Sequence, residues 1–126
     1  MFTHIMVGAD DIDAAKKFYD ATLGALGIGP AIVDPLGRVF YRNDTGTFAI
    51  SKPIDGAAAC HANGGTIGFA ASSPEAAEAW HAAGIANGGT TCENPPGVRE
   101  MPGMKMYLAY LRDPTGNKLC VMHPMA

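Results

Sequence analysis

No stretch of these 126 residues is apolar for long enough to cross a bilayer, and the first residues lack the build of a secretory signal. Both absences predict a protein that neither spans a membrane nor is sent across one. Cysteine is scarce and odd in number. Cys60, Cys92 and Cys120 stand far apart, which gives neither a disulfide framework nor, with His61, a zinc motif. A reducing compartment, the cytosol, is therefore expected. Positive charge is also thin: nine Lys and Arg are scattered along a chain of formal net charge −3, leaving no electrostatic footprint for a phosphate backbone. Nucleic acid is not an expected partner. What the chain does hold is 48% hydrophobic residues, enough for the core of one compact domain, with 16 glycines and nine prolines falling between periodic segments as turns.

Residues 2–8 alternate, with His4 and Met6 on one face of a strand and Ile5 and Val7 on the other. Asp10, Asp11 and Asp13 then supply a cap and first-turn carboxylates for a helix whose Ile12, Ala15, Phe18, Tyr19, Leu23 and Leu26 form an apolar stripe ending near Gly27. Ala31-Ile32-Val33 reads as a weak strand, and GRVFYRN with TFAISKP reads as a hairpin about Asp44-Thr45-Gly46. Residues 54–64 lack periodicity and read as a linker. From Gly65 the order restarts: strand TIGFAA, Ser73-Pro74 as cap and first helical residue, an Ala-rich helix closed by Asn and Gly, and a weak strand at TTCENPP. The loop GVREMPGMK is either a lid or an ordinary connection. Last comes YLAYLRDPTGNKLCVMH, a hairpin about Asp113-Pro114-Thr115-Gly116. A ladder closing directly on that loop pairs Arg112 with Asn117 and Ala109 with Cys120. Tyr107, Ala109, Leu111, Lys118, Cys120 and Met122 then share one face, and Leu108, Tyr110, Leu119 and Val121 the other.

The two halves repeat. HIMVGADDIDAAKKFY superimposes on TIGFAASSPEAAEAWH, setting His4 on Thr66 and Phe18 on Trp80, and FYRNDTGTFAI superimposes on YLRDPTGNKLC, setting Ile50 on Cys120. Each half is strand, helix and three strands: module 1 over 1–53 and module 2 over 65–126. The expected class is α+β, two tandem β-α-β-β-β modules forming a cupped mixed sheet with both helices on its outer face.

The duplicated unit, with HIMVGADDIDAAKKFYDATLGALGI opening it and YLAYLRDPTGNKLCV closing it, resembles the vicinal oxygen chelate superfamily of glyoxalase I, bleomycin-resistance proteins and extradiol dioxygenases. The resemblance implies a cupped pocket, commonly a homodimer, and in the metal enzymes up to four inward-facing ligands on the first and last strands of the modules. Carried over through the repeat, those positions hold His4, Thr66, Ile50 and Cys120, where the metal enzymes would have His, His or Gln, Glu or Gln, and Glu. A divalent Ni, Zn, Mn or Fe ion needs three or more converging N, O or S donors, which this set does not supply. The expectation is therefore a protein that binds a small, largely apolar molecule without a metal cofactor. The alternative is a glyoxalase-like lyase or isomerase, or a dioxygenase-type enzyme, using His4 with an altered ligand set.

The candidate binding residues on the expected cup face are Met6, Tyr41, Phe48, Ile50, Thr66, Gly68, Tyr107, Lys118 and Met122, with His4 and Cys120 as candidate catalysts. His4 has an imidazole suited to proton exchange near neutrality, or is a hydrogen-bonded pocket histidine. Cys120 is a nucleophile if His4 lies beside it, and otherwise a small buried hydrophobe. Lys118 either meets an anionic group or extends to water. Lys52 and Asp55 are placed near the cup rim.

Overall fold

A computed structural model describes all of residues 1–126. Eleven elements follow in the order β1 (His4–Gly8), α1 (Ile12–Ala25), β2 (Ile32–Val33), β3 (Val39–Asn43), β4 (Gly46–Ser51), β5 (Ile67–Ala70), α2 (Pro74–Ala86), β6 (Thr90–Thr91), β7 (Gly97–Met101), β8 (Met104–Arg112) and β9 (Lys118–Pro124). The strands form two mixed sheets, β1-β4-β3-β2 and β5-β9-β8-β6, with β7 also paired to β8. Neither helix is long and apolar enough to cross a membrane.

Local chemistry sets the helix ends. Asp11 caps α1 by accepting from the Ala14 amide at 2.9 Å, and Ser73 caps α2 by accepting from the Ala76 amide at 3.0 Å. At the far end of α1, Gly27 takes φ +84°, and the Gly27 and Ile28 amides donate back to Gly24 and Leu23. This pattern satisfies the last carbonyls and turns Leu26 and Ile28 away from the helix axis. The helices pack on each other and on the sheets through Phe18, Tyr19 and Leu23 of α1 and Ala77 and Trp80 of α2, all fully buried.

The weak strand near Thr90 is present, but Gly97–Met101, read from sequence as a loop or lid, is strand β7. It pairs with β8 through a tight turn at Pro102-Gly103, with Gly103 at φ +77°. The closing hairpin differs from its expected register by one residue. Arg112 faces Lys118, Tyr110 faces Cys120 and Ala109 faces Val121. The cause is Asp113, whose Oδ1 accepts from the amides of Thr115, Gly116 and Asn117, each at 2.9 Å, so the loop holds five residues, Asp113–Asn117. In module 1 the matching pair, Arg42 and Thr47, encloses only four.

A one-residue slip moves side chains to the opposite face. Tyr107, Ala109 and Leu111 therefore share the helix side with Leu119 and Val121. Leu108, Tyr110 and Arg112 lie with Lys118, Cys120 and Met122 on the other side. The structural counterpart of Cys120 is then Ala49, not Ile50. Ile50 pairs with Val7 and Val39, and is fully buried on the helix side.

Module 2 is tied to α1 by the same carboxylate. Tyr19 donates its hydroxyl to Asp113 Oδ2 at 2.6 Å, and Asn117 Nδ2 bridges Asp113 Oδ2 (2.8 Å) and the Gly8 carbonyl (3.2 Å). Burial first, and then the Asp113 charge and hydrogen bond, hold the Tyr19 phenol well above the ordinary tyrosine range. A raised folded-state pKa means stability that is fully present below the unfolded value near 10 and is lost as pH rises through the folded one. Tyr19→Phe should cost about 1.5–3 kcal/mol at neutral pH. In urea titrations between pH 8 and 11.5, its midpoint should fall less steeply above about pH 10 than that of the wild type.

Packing is closest at Gly84 of α2. A Cβ there would lie 2.3 Å from Leu111 Cδ1 and 3.2 Å from Phe18 Cε2. Gly84→Ala should therefore lose about 1–3 kcal/mol by overpacking, despite a helix-propensity gain of about 1 kcal/mol. A melting temperature above that of the wild type would contradict this account.

Candidate functional site

The free edges of the two sheets, β1 and β5, lie along the join between the modules. On the helix side of the join Phe48 and Phe69 meet edge to face, with ring centroids 5.2 Å apart, and Ile5 and Ile67 pack against the shared core. At one end the join is closed by the Asn117–Gly8 hydrogen bond. The opposite end opens into a cavity of about 410 Å³. Its walls are Ile5 and Phe2 from the first strand region, Leu26 and Ile28 from the end of α1, Tyr41 and Phe48 from β3 and β4, and Ile67–Ala70 from β5. His4, Asn43, Thr45 and Thr47 add polar atoms, and no Asp, Glu, Lys or Arg side chain lines it.

The cavity brings together four of the expected residues: His4, Tyr41, Phe48 and Gly68. His4 is exposed, with Nδ1 2.9 Å from Thr3 Oγ1. Tyr41 and Phe48 line it from the helix side and not from the expected cup face. Tyr41 anchors its hydroxyl on Asp20 Oδ1 at 2.8 Å, and burial with that carboxylate raises its pKa. Gly68 has open space where a side chain would begin.

The other expected residues lie elsewhere. Met6 borders a wider depression of about 1080 Å³, together with Lys52 and Asp55. Thr66 is exposed just before β5, and Met122 is partly exposed beside Ala70. Ile50 is core. Tyr107 was expected on the cup face, but it points to the helix side and donates its hydroxyl to Glu78 of α2. The departure of Tyr107 follows from the register set by the Asp113 loop, whereas Ile50 takes its face from its pairing with Val7 and Val39.

Cys120 and Lys118 belong to a second group on the cup side of module 2. Lys118 makes an ion pair with Glu93 and sits over the Tyr110 ring, 5.2 Å from its centroid. Glu93 holds a left-handed backbone, φ +56°, which only a few per cent of non-glycine residues adopt. Burial raises the Cys120 thiol pKa, with Tyr110, Glu93, Lys118 and Cys92 as the other groups acting on it. His4 is not among them, so the arrangement supplies no imidazole-activated thiolate. Neither Glu93 nor Tyr110 was singled out from the sequence. The two hairpins align without a gap from Arg42 and Arg112 onward, so the sequence carries no sign of the extra loop residue that places Tyr110 beside Cys120.

The positions that the resemblance would assign to metal ligands, corrected for register, are His4, Thr66, Ala49 and Cys120. One imidazole and one buried thiol of raised pKa do not make a divalent site, and no three His, Cys, Asp or Glu side chains converge anywhere in the chain. The residues present do not fit the metal of the family's enzymes.

Two β-α-β halves, one with a four-stranded sheet and one with a five-stranded sheet, about a join cavity define the class of architecture, and comparison with known proteins gives the family. The sequence model of the Glyoxalase/Bleomycin resistance protein/Dioxygenase superfamily matches residues 1–121, and the chain belongs to that superfamily. The crystal structure of a glyoxalase/bleomycin resistance protein from Albidiferax ferrireducens T118 is 61% identical, with 98% of each chain covered and a TM-score of 0.94. A glyoxalase/bleomycin resistance protein/dioxygenase family enzyme from Burkholderia phytofirmans PsJN (17% identity, 98% of each chain, TM-score 0.71) shares the fold. So does a lactoylglutathione lyase from Agrobacterium tumefaciens (22% identity, 97% of this chain and 92% of that one, TM-score 0.66). No curated protein matches the chain.

Thiol chemistry gives a direct check on the packing. In native protein a disulfide reagent should modify exposed Cys60 rapidly, and Cys120 only at the rate of unfolding. Equal rates for the two, resolved by mass spectrometry of labelled peptides, would contradict the burial of Cys120.

Proposed function

We propose that this protein binds a small, largely apolar molecule in the cavity between β1 and β5, and that it does so without a divalent metal. The observation that carries the reading is the cavity itself: about 410 Å³, walled by Phe, Ile and Leu side chains, free of charged side chains, and ringed by a few neutral polar groups. That volume falls within the range of small-molecule sites, and apolar walls with sparse polar contacts are their usual composition. The donor set supports the metal-free half of the proposal, since a second and third ligand are missing beside His4. His4 then acts as a hydrogen-bonding group at the mouth. The same reading has the protein as a cytosolic homodimer. Ile32, Val33 and Leu36, exposed on and beside the β2 edge, support self-association, which sedimentation at micromolar concentration tests.

A ligand held at about 100 times its dissociation constant should add about 2.7 kcal/mol and raise the melting temperature by several degrees. Gly68→Leu should fill the cavity and abolish that shift while leaving the unliganded melting temperature close to wild type, because a Cβ at Gly68 meets nothing within 4 Å. Elemental analysis of fresh protein should find no stoichiometric Ni, Zn, Mn or Fe. One ion per chain, with activity on an α-keto aldehyde adduct, would replace this reading with a metal-dependent lyase.

A further inference from the structure

Backbone groups in a strand point alternately to its two edges. The Ala9 amide donates to Ser51 of β4, so Ala9, Val7 and Ile5 spend their main-chain groups on β4, and those of Gly8, Met6 and His4 point to the free edge. Asn117 Nδ2 confirms this direction by taking the Gly8 carbonyl from that side. By the same count, the Ala71 amide donates to Met122 of β9, so Ala71, Phe69 and Ile67 face β9 while Ala70 and Gly68 face the free edge of β5. His4, Gly68 and Ala70 all line the cavity. A cleft with apolar walls, a few polar side chains and no Asp, Glu, Lys or Arg is thus flanked on both sides by N–H donors and C=O acceptors that have no partner strand.

We infer that the ligand is neutral and carries a secondary amide or lactam, read by the main-chain donors and acceptors of His4 and of Gly68 and Ala70, with its apolar body against Phe48 and Ile28. This deepens the reading of the cavity as a small-molecule site and rests on it. A carboxylate or ammonium ligand would meet no counter-charge on the cavity side chains, whereas an amide offers one donor and one acceptor in a plane, the pattern that strand edges pair with. The absence of a side chain at Gly68 leaves its peptide groups open to close approach.

The test compares N-benzylacetamide with its ester isostere benzyl acetate and the hydrocarbon butylbenzene, titrated into ¹⁵N-labelled full-length protein. The expected result is binding of the amide about five- to tenfold tighter than the ester, the increment of one net hydrogen bond. Amide resonances of His4, Gly68 and Ala70 should shift, and those of Ile5 and Phe69, already paired within the sheets, should move less. Ala70→Pro removes one edge donor at a position where proline costs no ladder bond, and it should weaken amide and ester binding alike, because both present a carbonyl to that donor, while hydrocarbon binding persists. Equal affinity for amide and ester in the wild type, or shifts confined to other residues, would overturn the inference and leave the apolar cavity standing. Failure of all three compounds to bind would remove the cavity reading and this inference together.

Discussion

Much of this structure hangs on one buried carboxylate. Asp113 accepts from the Tyr19 hydroxyl, three consecutive amides of its own loop and the Asn117 side chain, which reaches on to Gly8. A nearly fully buried acid is tolerated only with its lone pairs satisfied, and here the satisfaction itself does structural work. The loop bonds fix the length of the turn and therefore the register of β8 on β9. The Tyr19 bond locks module 2 onto α1, and the Asn117 bridge closes one end of the join between the sheets. Turn, register, module docking and the closing of one end of the join are four consequences of one residue's hydrogen bonds.

The fold was legible in the sequence because its signals are local and repeated. Caps at Asp11 and Ser73, the stripe through Phe18 and Tyr19, and the stop at Gly27 each depend on residues within a turn of one another, and the second half repeats most of them. The site was less legible because face assignment depends on counting across a turn. Asp113-Pro114-Thr115-Gly116 looks like a four-residue loop, and only the side-chain bonds of Asp113 draw Asn117 into it. That single residue exchanged Tyr110 for Tyr107 on the cup side, and made Ala49 rather than Ile50 the counterpart of Cys120 in module 1. β7 was missed for a related reason: Gly97–Met101, between two prolines and a Pro-Gly turn, has turn formers on both sides, and its pairing with β8 is tertiary information.

His4 and Gly68 line the cavity from strands whose alternation is set before any turn intervenes. Tyr41 and Phe48 reached the cavity from the unexpected side, since the space opens between sheet edges and is reached from both faces. The superfamily's scaffold thus carries, at the join, a few polar groups among aromatic and aliphatic walls.

The two sheets share no ladder. What holds the halves together is the helix contact and core, with the Asp113 bridge, and those contacts do not depend on the halves belonging to one polypeptide. The covalent role of residues 54–64 is then mainly to keep each half at high effective concentration around the other. Two chains that exchanged their second halves would rebuild the same join, the same cavity and the same unpaired strand edges from two molecules. The duplication therefore leaves this protein a route to dimers in which nothing at the ligand's position changes.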